Sequence, residues 1–186
     1  MRRALSRALP SLVLLAAVAA CGSTPAAQSP QTSNQPATSR SAPSSAAAPT
    51  GPPPAPQPTS DAPCTYLDNR FVADANGQLV NHVRTSEDKP YPTCFFYGNP
   101  KDIQLTVRVY VGDPKIATAI VDQAAPRASS DPADDIAGWT GGKMPTADGA
   151  VYAVAKGGTA VVVNSDQKQT VKPRRVVETV IKNLKL

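Results

Sequence analysis

An α+β domain is the fold that the amino-acid sequence predicts for residues 64–186: an antiparallel sheet of about five strands covered by helices, in the order α-β-β-β-α-β-β-α. Three observations lead to it. Ile103–Val111 alternates apolar and polar side chains without a fault, as a half-buried antiparallel strand does. Residues 151–155 and 159–163 flank Lys156-Gly157-Gly158, a hairpin signal. Two apolar stripes at helical spacing, Ile116-Ala117-Ile120-Val121-Ala124 and Val177-Val180-Ile181-Leu184, stand between and after those strands. Hairpin-joined strands interspersed with helices read as a sheet with helices on at least one face.

The elements follow in order. Thr65 is placed to cap a short helix in which Leu67, Phe71 and Ala75 recur four residues apart, with Val72 beside them. Asn76-Gly77 supplies a left-handed stop. Residues 79–85 read as a strand, 86–92 as a polar loop broken by proline, and 93–97 as a second strand. Gly98-Asn99-Pro100-Lys101 is a turn. In the third strand Ile103, Leu105, Val107, Val109 and Val111 share one face, and Gln104, Thr106, Arg108 and Tyr110 the other. Asp113-Pro114 puts a capping carboxylate before a proline at the first helical position, and Pro126 ends that helix. Residues 127–148 carry no periodicity and are expected to be irregular. The last helix has Pro173 in its first turn, and Lys182 and Lys185 suit the negative end of its dipole.

Upstream of Cys64 the composition is different. The chain holds 20 Pro and 3 Cys. Its prolines concentrate in residues 22–63, a stretch of Pro, Ala, Ser, Thr and Gln whose only charges are Arg40 and Asp61. Nothing there offsets the ordering entropy by burial, so residues 21–63 are expected to form a disordered linker behind a lipidated cysteine. Such a proline-rich linker reaches up to roughly 130 Å, and its Ser and Thr also suit an O-glycosylated stalk. Residues 1–20 begin with Arg2, Arg3 and Arg7 and continue as an apolar stretch, the pattern of a secretory signal rather than a membrane span. The stretch ends Val18-Ala19-Ala20-Cys21, which looks like a bacterial lipobox; Cys21 is the expected lipid-attachment residue, exposed at the outer face of the plasma membrane. Two or more acyl chains make such an anchor stable without a transmembrane helix.

Export also bears on the other cysteines. With Cys21 acylated, Cys64 and Cys94 remain as an even pair in an oxidising compartment, so a Cys64–Cys94 disulfide is expected. The net charge of +5 owes much to the leader, and from Cys64 onward the domain is close to neutral. A nucleic-acid partner, which needs a basic patch, is therefore not expected.

The candidate sites are few. His82, the single histidine, falls at an outward strand position, and a Cys–His nucleophile would need a thiol that the disulfide consumes. Gly138-Trp139-Thr140-Gly141-Gly142-Lys143 lacks the first glycine and the final Ser or Thr of a phosphate loop, since Ala137 and Met144 stand there. Asp131, Asp134 and Asp135 lack the alternating spacing of a calcium loop. No catalytic residue, metal ligand or cofactor is assigned. Trp139 either stacks on a sugar or acyl ligand or pins its loop to the core. The basic run Lys168, Lys172, Arg174, Arg175, Lys182 and Lys185 is either a solvated helix face or a contact to acidic envelope polymers or anionic headgroups, worth about 1 kcal/mol per cation near such a surface. Trp139, Lys172, Arg174 and Arg175 are thus the candidate ligand contacts.

Taken together, the lipobox, the proline-rich stalk and the segments Cys64-Thr65-Tyr66-Leu67, Thr93-Cys94-Phe95-Phe96, Gly138-Trp139 and Ala150-Val151-Tyr152-Ala153-Val154 resemble the small lipoproteins of mycobacteria and related actinobacteria that carry a conserved domain of unknown function. The resemblance implies a cell-envelope lipoprotein and no established activity. The expected function is a non-enzymatic, monomeric binding or accessory domain whose partner is an envelope lipid, glycan or protein. The alternative is a carrier that shields an acyl chain or glycolipid between sheet and helices. An apolar pocket of at least about 300 Å³ discriminates the second from the first.

Overall fold

The computed structural model describes residues 51–186. Among the described residues eight strands form one antiparallel sheet in the order β1-β2-β3-β4-β8-β7-β6-β5, three more than the sequence predicts. They are β1 (Ser60–Asp61), β2 (His82–Thr85), β3 (Cys94–Tyr97), β4 (Ile103–Val111), β5 (Asp131–Pro132), β6 (Thr140–Thr146), β7 (Gly149–Lys156) and β8 (Thr159–Ser165). Among the described residues three helices accompany them: α1 (Asn69–Asn76), α2 (Pro114–Ala124) and α3 (Val171–Leu184).

Helix α2 forms where the local signals put it. The Asp113 carboxylate accepts from the backbone N–H groups of Lys115 and Ile116, and Pro114 opens the helix. Helix α1 starts later than expected. Asp68, not Thr65, is its cap, accepting from Arg70 and Phe71. The disulfide holds the 64–67 segment outside the helix, and a charged Asp acceptor also suits the helix N-terminus. Gly77 ends α1 at φ 76°, in the left-handed region that the Asn76-Gly77 pair predicts.

The sheet is buried on both faces. On one face α1 and α3 pack over Phe96, Leu105, Val107, Tyr152, Val154, Val161 and Val163. On the other, α2 sets Ile116, Ile120 and Val121 against Val151, Ala153 and Val162. The half-buried reading of β4 is corrected accordingly. Leu105, Val107 and Val109 are buried as expected, but Ile103 and Val111, at the strand ends beyond the helices, are 41% and 44% exposed. Gln104, on the predicted polar face, is fully buried instead. The first predicted strand is also shorter, because Leu79 lies outside the sheet and is exposed.

The expectation that 127–148 is irregular is overturned by β5 and β6. Thr140–Thr146 contains two glycines and a proline, a composition that argues against a strand. Its pairing with β7 over seven residues makes it one. The glycines permit the close approach: a Cβ on Gly141 would lie 1.9 Å from the Ala153 carbonyl oxygen. Pro145 lies beyond the short β5 pairing, on the open edge where a missing N–H costs no ladder bond.

The expected domain start at Cys64 is also corrected. Ser60 and Asp61 pair with Thr85 and Arg84, and the Thr59 N–H donates to the Thr85 carbonyl at 2.9 Å. Backbone hydrogen bonds, to which side-chain composition is blind, carry the ordered chain upstream into the proline-rich stretch. The leader, Cys21 and the first part of the expected linker lie outside the described residues.

Candidate functional site

The cysteine pair is where the sequence places it. Cys64, just before α1, is bonded to Cys94 on β3, with their Cα atoms 5.6 Å apart. Both are buried, so the bridge is a staple between the α1 segment and the sheet.

Trp139 is an anchor. The ring is 2% exposed and belongs to the core under α1 and α3, with the Lys156 ammonium 5.7 Å above its centroid. A buried ring offers no face for a ligand to stack on. The three basic candidates do not converge on a surface either. The Lys172 ammonium donates to the Asn76 carbonyl at 2.8 Å and to Gln167 Oε1 at 3.1 Å, closing the C-terminal end of α1. Arg175 lies over the Phe71 ring at 5.6 Å. Arg174 pairs with Asp135 at 2.8 Å and with Glu178 at 2.9 Å. All three clamp α3 to its neighbours. His82, read from the sequence as solvated, is half-buried and stacks on Tyr97 at 4.2 Å.

Asp135 is the centre of an ionic network. Its carboxylate accepts from the Tyr152 hydroxyl at 2.5 Å and faces Lys143 at 3.5 Å as well as Arg174. The tyrosine hydrogen bond, followed by the two cations, holds the Asp135 carboxyl below the usual carboxylate range, against the opposing effect of burial. Burial, and then the same bond, push the Tyr152 phenol upward, so it stays a neutral donor. This arrangement fastens the 133–139 loop to α3 and β7 and offers no proton exchange near neutral pH. A depressed native pKa means stability that is present above the ordinary Asp value, near about 4. That stability fades as pH falls through the lower folded value. Asp135→Asn is therefore expected to destabilise the chain at pH 7, with the deficit shrinking as pH falls below the ordinary Asp range; urea melts across that range measure it.

Among the described residues no group of three His, Cys, Asp or Glu side chains stands close enough to hold a metal ion. A shallow depression of about 610 Å³ is lined by residues 63–69 and the end of α3. Its one charged residue, Asp68, is occupied as the α1 cap.

A different cleft is built from several elements. Helix α2 packs mainly on the β6–β8 part of its face of the sheet. Next to it, the segment 51–59 runs as a strap over β3 and β4, held by the β1 pairing and by hydrogen bonds from the Arg108 guanidinium to the Pro53 and Pro54 carbonyls. Between strap, α2 and sheet lies a cleft of about 330 Å³. Ala55, Pro56 and Ala124 make the accessible part of its apolar surface over the buried Phe95, Ile120 and Val162, and among the described residues Arg108 is the only charged side chain lining it. Sequence reasoning passes over this site. The one available signal is that Arg108 is the sole charge in the outward set of the clearest strand. That Ala55 and Pro56 close the cleft from above has no signal in composition, because the prolines read as linker.

Among curated proteins a search finds no match to the chain. A family model, the domain of unknown function DUF2020, matches residues 46–186, well over half of the chain, and its span takes in the strap. The strap is thus part of the domain rather than of a linker, and the chain belongs to the DUF2020 family.

Proposed function

We propose that this chain is a cell-envelope lipoprotein of the kind found in mycobacteria and related actinobacteria, acylated on Cys21, whose domain binds a ligand or protein partner at the cleft beside α2 without transforming it. The observation that carries the binding reading is the cleft itself. It is assembled from sheet, helix and strap, it falls in the size range of ligand sites, and it joins an apolar surface to a single cation. The cleft reaches the size that the carrier alternative asks for, but it lies beside α2 under the strap and does not enclose a chain between sheet and helices. Tyr152, Phe96 and Leu105 fill the layer under α1 and α3 and are each at most 1% exposed. The remaining support for the carrier is the apolar wall of the cleft.

The test is native mass spectrometry of the chain purified from its own host, alongside Gln123→Trp, which places a ring at the cleft from an exposed position on α2. A retained lipid, glycan or protein that the substitution displaces is the expected result. A chain that leaves its host with the cleft empty, and whose envelope partners are unchanged by the substitution, sinks the reading.

A further inference from the structure

Arg108 makes the cleft more than an apolar surface. Its guanidinium is half-buried on β4, and burial lowers its pKa from the free arginine value, an effect that Asp88 opposes. Arginine nevertheless stays charged. Among the described residues no carboxylate is ion-paired with it. Asp88, which acts on it through space, is held instead by the hydroxyls of Ser86 and Thr93 at 2.7 and 3.0 Å. The hydrogen bonds of the guanidinium go to the Pro53 and Pro54 carbonyls at 3.3 and 3.4 Å, both longer than an ordinary N–H···O bond. A forked cation with several donors thus stands beside an apolar wall, with only two long neutral contacts. Carboxylate and phosphate oxygens are the partners that match its geometry.

We infer that the cleft takes an anionic amphiphile, its carboxylate or phosphate head bound by Arg108 and its apolar tail lying between Ala124 and the strap residues Ala55 and Pro56. This rests on the cleft being the binding site, and adds the class of ligand and the residue that selects it. Thr106 and Asn164, which share the lining, are placed to hydrogen-bond the head. The volume, at the lower end of the range for ligand sites, suits one chain of moderate length better than a two-chain lipid.

The probes are dodecanoate, dodecyl phosphate and dodecanol, each in its monomeric range, titrated by calorimetry into the whole chain carrying Cys21→Ala. Both anions are expected to bind, the alcohol at least roughly tenfold more weakly, in line with a charge-assisted hydrogen bond. Arg108→Gln should weaken both anions by a similar factor and leave the alcohol unchanged, and Gln123→Trp should block all three. The tighter of the two anions identifies the head group. Arg108→Lys, which keeps the charge without the fork, should fall between parent and Arg108→Gln, and carries the test if the glutamine variant does not fold. Equal binding of all three probes, or anion affinity indifferent to either arginine substitution, overturns the ligand class and leaves the cleft reading standing. Binding of none of them, together with copurifying material that Gln123→Trp does not displace, removes the cleft reading and the inference with it.

Discussion

Replacing Cys64 with Ser is expected to lower the melting temperature by roughly 10–15 °C. The bridge closes a loop with a sequence separation of 30 residues that contains all of α1 and β2. Constraining a loop of that length in the unfolded chain is worth about 3.7 kcal/mol by the chain-entropy model. Each kcal/mol moves the midpoint of a domain this size by roughly 3–4 °C. The folded state adds to the effect, because Cys94 is fully buried and Cys64 nearly so, and the substitution leaves a Ser hydroxyl and a free Cys94 thiol unbonded in that buried place. Thermal melts of the variant, and of the parent with and without reductant, measure it. A shift no larger than that of an exposed surface substitution would mean that the α1 segment docks on β3 without the staple.

The second large effect concerns the proposed anchor. Cys21→Ala is expected to move the chain from the membrane fraction to unprocessed precursor or to soluble material, because no acyl chain can then be attached. The contrast is steep, since one acyl chain holds a protein only marginally and two or more hold it firmly. Among the described residues no helix is long and apolar enough to cross a membrane. The basic residues of α3 are no substitute: Lys172, Arg174 and Arg175 are engaged with Asn76, Asp135, Glu178 and Phe71. What attraction remains is screened within about 8 Å at physiological salt. Detergent partition of parent and variant, with a high-salt wash, reads the result. A Cys21→Ala chain cleaved of residues 1–20 that stays with membranes in high salt would put the attachment in the fold and would reject the lipid anchor.

The parts of the structure that the sequence announces are those written in adjacent residues. Asp113-Pro114 states where α2 begins, the Ile116–Ala124 stripe states which side is buried, and Asn76-Gly77 states where α1 ends. The alternation in Ile103–Val111 identifies β4, and the count of cysteines left once Cys21 is set aside identifies the pair that is bonded. The signal fails where a residue's conformation is decided by a distant segment. Thr140–Thr146 reads as loop and becomes a strand because β7 lies alongside it and its glycines let the backbones meet. Trp139 is ambiguous in its own loop, and the core that receives its ring settles it as an anchor.

By itself, then, the sequence determined the α+β class, the positions of α2, β4 and the final helix, and the Cys64–Cys94 bridge, because caps, periodicity and cysteine pairing are local or compositional. Only the tertiary structure decided that the sheet has eight strands, that both of its faces are covered, and that a proline-rich strap closes a cleft over Arg108. The physical reason lies in the strap. Pro53 and Pro54 contribute carbonyl oxygens, and Thr59 to Asp61 contribute backbone pairing to β2. Every residue carries those groups, so composition says nothing about where they bind until the sheet supplies the partner.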